Sequence, residues 1–209
     1  MKKILPELNK LPYFRTSNLK ALLPRLKKHS IYCQLTRWHK KGIIIKLKKG
    51  FYTTKEYDKE HSTDVNYLYY LANVLRYTSY VSGTFVLQNS AVLTDVTFPI
   101  TSITTKTTRK YYSKKLSFFY YSISPKLYTG YKRLLYNDEP IYVATLAKAL
   151  FDYLYIKYLK TRIKPETIIE RERLNLDRFN KKDIAEFKKY CKLSKNKMLT
   201  DLASKLFKA

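Results

Sequence analysis

The order of the first predicted elements, two short amphipathic helices followed by a basic hairpin, constrains the fold of this chain most. Thr16 and Ser17 are favourable caps for a first helix, and the apolar residues after them recur at helical spacing through Leu26. Ser30 is the candidate cap of a second helix, which Gly42 is expected to end.

The second predicted helix has two chemically different faces. Ile31, Leu35 and Trp38 lie four and three residues apart, and this spacing predicts an apolar stripe that packs in a core. The opposite face carries the polar side chains Tyr32, Gln34, Arg37 and Lys41.

A hairpin is predicted directly after this helix. Residues 43–47 are mostly isoleucine and leucine and predict a strand, Lys48-Lys49-Gly50 predicts a tight turn, and residues 51–53 predict the returning strand. Helix, helix and basic hairpin is the element order of a winged helix-turn-helix domain, which we predict over residues 1–58.

The distribution of charge favours a polyanionic partner. Residues 1–55 contain 15 Lys and Arg against the single acid Glu7, whereas residues 56–209 contain 27 against 15. The lysine bias of an AT-rich genome would spread evenly, but here the first quarter carries over half of the net charge of +26. Such a block is typical of phosphate binding, and double-stranded DNA is the partner we expect.

The predicted DNA contacts lie on the second helix and the hairpin. Gln34 suits adenine, Arg37 suits guanine, and Tyr32 suits a phosphate or a thymine methyl group. Lysines beside the helix and on the hairpin are expected to hold phosphates. The full candidate set is Ser30, Tyr32, Gln34, Arg37, Lys40, Lys41, Lys46, Lys48 and Lys49.

The rest of the chain predicts an α+β fold overall. The polar stretch 55–64 resembles a linker, and a Tyr- and Leu-rich helix follows over about residues 65–75, so we assign a linker helix to residues 59–78. Residues 79–160 are predicted to form a mixed α/β domain with a small sheet, and residues 161–209 a helical C-terminal extension.

Within residues 79–160, Ser82 is a candidate cap for a helix that runs to about Leu93. Asn137-Asp138 predicts a turn, and the dense apolar pattern over residues 144–159 predicts a helix deep in the core. Strands are expected over residues 101–106, 116–123 and 131–136.

The sequence contains no recognisable catalytic site. The four glycines are widely separated, so no phosphate-binding loop is present, and the three histidines do not have metal-ligand spacing. We therefore expect no enzyme activity, no metal and no cofactor. Cys33 and Cys191 fit a reducing cytoplasm, and because no run of about 18 apolar residues occurs, no membrane partner is expected.

Several short stretches occur in an order that resembles a known family. They are Tyr13-Phe14, residues 38–43, residues 47–52, Ser79-Tyr80-Val81-Ser82, residues 100–106, residues 119–123, residues 127–131 and residues 144–152. With these stretches, over roughly residues 11–160, the chain resembles the AbiEi family of antitoxins from abortive-infection toxin–antitoxin systems of type IV.

The resemblance implies two activities. The first domain would bind inverted repeats in its own promoter and repress it, and the second would counteract a nucleotidyltransferase-like toxin by direct contact or indirectly. The last family motif usually reads Pro-Glu-Lys-Ala-Leu-x-Asp; Lys148 and Asp152 match it, while Leu146 and Ala147 replace the proline and the acid. Lys148 and Asp152 are expected to form an ion pair on one helix face.

Two other function classes remain open from the sequence. The basic first quarter also fits a protein that binds RNA or a ribonucleoprotein without catalysis, with tyrosines as stacking platforms. An enzyme that modifies nucleotides would need a site that the sequence does not show. A monomer on each half-site and a dimer are equally compatible with the sequence.

Overall fold

The computed structural model describes residues 4–94, 99–113, 116–159, 161 and 163–207. Over these residues the fold is α+β, as predicted, with ten α-helices and two β-sheets. The helices are α1 (Leu5–Leu8), α2 (Thr16–Leu22), α3 (Lys28–Lys40), α4 (Lys55–His61), α5 (Val65–Leu75), α6 (Thr84–Asn89), α7 (Leu146–Tyr158), α8 (Pro165–Glu172), α9 (Lys181–Leu193) and α10 (Lys197–Leu206). The strands are β1 (Phe14–Arg15), β2 (Ile44–Lys48), β3 (Phe51–Thr54), β4 (Ser79–Val81), β5 (Ile100–Thr104), β6 (Arg109–Tyr112), β7 (Ser117–Ser122), β8 (Tyr131–Tyr136) and β9 (Glu139–Ala144).

Helices α1 to α3 and strands β1 to β3 form what we call the N-terminal unit, residues 4–54. Its antiparallel sheet has the strand order β1-β3-β2. The stripe of Ile31, Leu35 and Trp38 on α3 is buried, as its spacing predicts. It packs in a small core of its own with Leu8, Phe14, Leu19, Ile44 and Tyr52.

The start of α3 differs from the prediction. Ser30 does not cap the helix, because α3 begins at Lys28 and Lys27 is the cap residue. Ser30 therefore lies in the first turn, where its side chain is exposed. The predicted end is confirmed, since the helix stops at Lys40 and Gly42 has a φ of +70°.

The first predicted helix is also shorter than expected. α2 ends at Leu22 and not at Leu26. The next residue, Leu23, precedes Pro24, and helical conformation is disfavoured for a residue before a proline. Its cap is Arg15, whose backbone N–H donates to Asn18 Oδ1 at 2.9 Å.

The larger body is built on a six-stranded mixed sheet with the strand order β6-β7-β5-β4-β9-β8. β4 and β9 are parallel, as are β5 and β7, and the other neighbours are antiparallel. The predicted Asn137-Asp138 turn joins β8 to β9, with both residues at positive φ. Helices α5 and α7 contact this sheet, α9 packs against α7, and α10 packs against α8 and α9.

The stretch predicted to be a linker is ordered helix. Thr54 caps α4 by accepting the N–H of Tyr57 at 3.2 Å, and the side chains of Tyr57 and Asp58 are buried. α5 has the predicted bounds but is not a connecting helix, because eight of its eleven residues are buried in the larger core. Residues 59–78 thus belong to the body of the fold.

Four strands were not predicted: β1, β4, β6 and β9. Ser82 does not cap a helix either, because Gly83 is the cap residue of α6 and the Ser82 hydroxyl donates to Asp152 instead. The helical C-terminal extension predicted over residues 161–209 contains α8, α9 and α10 among its described residues.

The hairpin of the N-terminal unit joins the two cores. One face of its sheet covers α3, and from the other side Leu47 is buried in the larger core together with Tyr57. Tyr13, Ile45 and Phe51 pack against the same core. The N-terminal unit is therefore attached by an apolar junction.

Candidate nucleic-acid interface

The outward face of α3 carries most of the predicted contact residues. Tyr32, Arg37 and Lys40 are exposed, Gln34 is half-buried, and Lys41 follows directly at the exposed helix end. Because Ile31, Leu35 and Trp38 anchor the opposite face, these side chains point away from the small core. The structure thus brings five predicted residues onto one surface.

This surface is positive and uncompensated. α3 contains no acidic residue. Among the described residues, none forms an ion pair with Arg37, Lys40, Lys41, Lys46 or Lys49. Cations without carboxylate partners repel one another, so an anionic ligand would stabilise the arrangement.

Lys46 lies next to the α3 surface. It pairs with Tyr52 in the β2–β3 ladder and therefore shares a sheet face with that residue. Burial raises the pKa of Tyr52, and the neighbouring Tyr32 hydroxyl on α3 adds to the increase. Lys46 and Tyr32 accordingly border the same surface, and Lys49 is exposed in the turn beyond.

Lys48 does not share this surface, contrary to the prediction. Its Nζ donates to the Leu75 carbonyl at the end of α5 and lies 4.1 Å from the Phe51 ring centroid. Burial lowers the pKa of Lys48, and the nearby Arg15 and Arg76 lower it further. Lys48 is therefore a residue of the junction.

A β-bulge explains the different directions of the two lysines. Residues two apart in a regular strand face the same side, so Lys46 and Lys48 would point together. The pairing shifts between them, because Lys46 lies opposite Tyr52 whereas Lys48 lies opposite Phe51. The extra residue Leu47 turns Lys48 to the junction face.

Cations on β6 extend the basic region and were not predicted as contacts. β6 runs close to β2, and the side chains of Arg109 and Lys110 are exposed. Lys110 Nζ lies 4.6 Å from the Phe119 ring centroid. The short basic run was visible in the sequence, but nothing there indicated that it would lie beside the hairpin.

A shallow groove borders α3 on its other side. It is lined by Leu23 and Leu26 from the loop after α2 and by Ser30, Cys33, Gln34 and Arg37. The Cys33 Sγ lies 3.3 Å from His29 Nε2. Ser30 therefore belongs to the margin of the α3 surface, beside the groove.

Lys148 and Asp152 form the expected ion pair, but the pair lies inside the fold and not on a contact surface. Lys148 Nζ lies 2.7 Å from Asp152 Oδ1, and both side chains are fully buried in α7. The other carboxylate oxygen accepts the Ser82 hydroxyl at 2.7 Å and the Tyr80 hydroxyl at 3.0 Å. Neither residue is accessible to a protein partner, because the pair lies inside the core of the fold.

Comparison of the chain with protein-family models and with curated proteins gives no match. Within the described ranges, no helix has the length and apolar character needed to cross a membrane. The same residues contain no group of three or more side chains arranged to hold a metal ion. The functional assignment consequently rests on the α3 surface.

Proposed function

We propose that this protein binds double-stranded DNA and that its N-terminal unit acts as a winged helix-turn-helix domain. The observation that carries the proposal is the two-faced helix α3, with a fully apolar buried stripe and an exposed face of cations and hydrogen-bonding groups. Its 13 residues span about 20 Å, and an α-helix fits the major groove of B-DNA.

Each exposed side chain has a role in this proposal. Gln34 reads adenine, Arg37 reads guanine and Tyr32 contacts a phosphate or a thymine methyl group. Lys40 and Lys41 at the end of α3 neutralise phosphates, and Lys46 and Lys49 on the hairpin reach the DNA backbone or the minor groove. Lys48 takes no part.

The first experiment is a mobility-shift titration with the chain's own upstream promoter DNA, a scrambled duplex and a single strand of equal length, over a salt series. We expect preference for the promoter that persists at high salt. Equal and salt-labile binding to every duplex would contradict sequence-specific recognition, because charge alone produces that behaviour.

Two substitutions separate base reading from phosphate binding. Arg37→Gln should weaken promoter binding roughly 5- to 150-fold, the range for one bidentate base contact. Lys40→Gln should weaken all duplexes and reduce the slope of log K against log salt by about 0.9. Lys189→Gln is the matched control, because it removes one exposed charge from α9, outside the N-terminal unit.

We further propose, from the resemblance to AbiEi antitoxins, that the chain represses its own promoter at inverted repeats and counteracts a nucleotidyltransferase-like toxin. Because Lys148 and Asp152 are buried, any direct contact with the toxin uses other residues. When the chain is co-expressed with the toxin-like protein of the same operon, the growth of cells that this toxin arrests should be restored. Continued growth arrest at equal protein levels would refute the antitoxin role.

A further inference from the structure

A tyrosine-lined cleft lies at the junction, between β1, α5 and the β4, β8 and β9 part of the large sheet. Its volume is about 470 Å³, which is within the range of small-ligand sites. Six tyrosines line it: Tyr13, Tyr70, Tyr77, Tyr128, Tyr131 and Tyr142. No function proposed above uses this cleft.

The rings form two groups. Tyr131 lies in the first, with its centroid 5.4 Å from that of Tyr128 and 5.8 Å from that of Tyr142. Tyr13 and Tyr70 form the second, with centroids 5.9 Å apart. Tyr77 is 81% exposed. The cleft therefore offers several ring surfaces to a flat aromatic ligand.

The hydroxyls of these six tyrosines are free for a ligand. Among the described residues, none accepts or donates a hydrogen bond with any of these hydroxyls, whereas several buried tyrosines elsewhere are paired, as Tyr57 with Tyr136 at 2.9 Å. Burial is the largest cause that raises the pKa of both Tyr70 and Tyr128 to about 12, so these hydroxyls keep their protons at neutral pH.

One cation and one acid complete the lining. Arg15 is exposed, with its guanidinium 4.7 Å from the Phe51 ring centroid, and Glu139 lies in the cleft wall. Glu139 disfavours an anion inside the cleft, while Arg15 favours a phosphate at its edge. An uncharged aromatic group with an attached phosphate fits both.

We propose that this cleft binds an unpaired nucleobase of single-stranded nucleic acid. The base stacks on the tyrosine rings, the hydroxyls hydrogen-bond its edge, and Arg15 holds a flanking phosphate. The net charge of +26 favours a strand over a neutral aromatic metabolite. The cleft is separate from the α3 surface, so the proposal does not depend on duplex binding.

The test compares two labelled hexamers that carry equal charge, hexathymidylate and a hexamer of abasic sites, by fluorescence anisotropy with the full chain. We expect the thymine strand to bind roughly 5- to 150-fold more tightly, the range for stacking of one base on an aromatic side chain. Equal affinities would overturn the proposal, because charge alone would then account for binding.

Two variants locate the effect. Tyr77→Ala should reduce the preference for the thymine strand at least fivefold without affecting the fold, since the ring is exposed. Arg15→Gln should weaken both strands alike. Tyr112→Ala is the matched control, because this tyrosine is 67% exposed on β6 outside the cleft. An equal loss in Tyr112→Ala and Tyr77→Ala would place the base elsewhere.

A third variant separates this proposal from duplex binding. Arg37→Gln is expected to impair promoter binding and to leave the ratio between the thymine and abasic strands unchanged. If the wild-type chain binds no promoter but still prefers the thymine strand, only the proposal of duplex recognition is refuted, and the cleft proposal stands. Loss of the strand preference in Arg37→Gln would overturn the cleft proposal, because the base would then bind at α3.

Discussion

Asp152→Asn is expected to lower the free energy of unfolding by about 3–5 kcal/mol, the usual cost of removing one partner from a buried ion pair. In the wild type, the fully buried Lys148 ammonium has the Asp152 carboxylate 2.7 Å away. Asparagine has nearly the same shape and leaves Lys148 as a buried cation without a counter-charge.

The substitution isolates the charge from the other contacts of Asp152. The asparagine carbonyl oxygen can still accept the hydroxyls of Tyr80 and Ser82. For a chain of about this size, 1 kcal/mol corresponds to roughly 2–4 °C in Tm, so the expected loss is about 6–20 °C.

The double variant Lys148→Met with Asp152→Asn tests the cause. Burial raises the pKa of Asp152 and lowers the pKa of Lys148, which means that each charged form is disfavoured by loss of water. A neutral pair of similar volume removes both costs, and replacement of buried pairs is often neutral or stabilising. We expect the double variant to recover at least half of the stability lost in Asp152→Asn.

Urea unfolding followed by circular dichroism gives these free energies. Glu7→Gln is the control, since Glu7 and Lys10 form an ion pair with 68% and 72% exposed side chains and its loss should cost less than about 1 kcal/mol. A loss below 1 kcal/mol in Asp152→Asn, or a double variant no more stable than the single one, would refute the interpretation.

The stability of Asp152→Asn is also expected to depend on pH. Burial lowers the pKa of Lys148 below its ordinary 10.5, and loss of the carboxylate lowers it further. The folded state of Asp152→Asn therefore releases the Lys148 proton at a lower pH than the unfolded state does. The loss of unfolding free energy relative to the wild type is then largest at neutral pH and shrinks as the pH rises towards 10.5. A constant deficit would contradict this cause.

Three further predictions concern packing and reactivity. Gly130→Ala should destabilise the fold by about 2–5 kcal/mol, because a Cβ would lie 2.7 Å from Tyr190 Cζ. Gly42→Ala, also at positive φ but with no atom within 4 Å of the added Cβ, should cost only about 1–2 kcal/mol. Thermal unfolding compares the two variants. Cys191 should stay unreactive towards a thiol reagent at pH 8 while Cys33 reacts, because burial raises the pKa of Cys191 to about 12; two rapidly reacting thiols in the folded chain would contradict this. Glu172→Gln should cost about 1–3 kcal/mol, because Glu172 accepts the hydroxyls of Tyr153 and Tyr158 and pairs with Lys157, and Glu170→Gln on the exposed side of α8 should not; calorimetry measures both.

The elements with clear periodicity were the predictable ones. The four- and three-residue spacing of Ile31, Leu35 and Trp38 predicted the buried face of α3, and the apolar pattern of α5 predicted its bounds. The strands missed by the sequence lack such a pattern. β1 has two residues, β4 has three that are all buried, β6 is an exposed edge strand, and β9 contains Pro140 and leads directly into α7.

The candidate site was predictable only where local spacing decides direction. Arg37 and Lys40 follow from the helical period, and they are exposed on the face opposite the buried stripe. The direction of the Lys48 side chain does not follow from the strand period, because a bulge adds one residue and reverses that direction. The tyrosine cleft combines residues from β1, α5 and β9, and such long-range proximity has no local signal in the sequence.

The junction relates the two proposed binding sites in space. Tyr13 and Arg15 of the cleft belong to the N-terminal unit, whereas Tyr70 and Tyr131 belong to the larger body, so the cleft requires both. Burial of Leu47 in the larger core and the contact of Lys48 with the Leu75 carbonyl hold them together. The cleft therefore keeps a fixed position relative to the α3 surface.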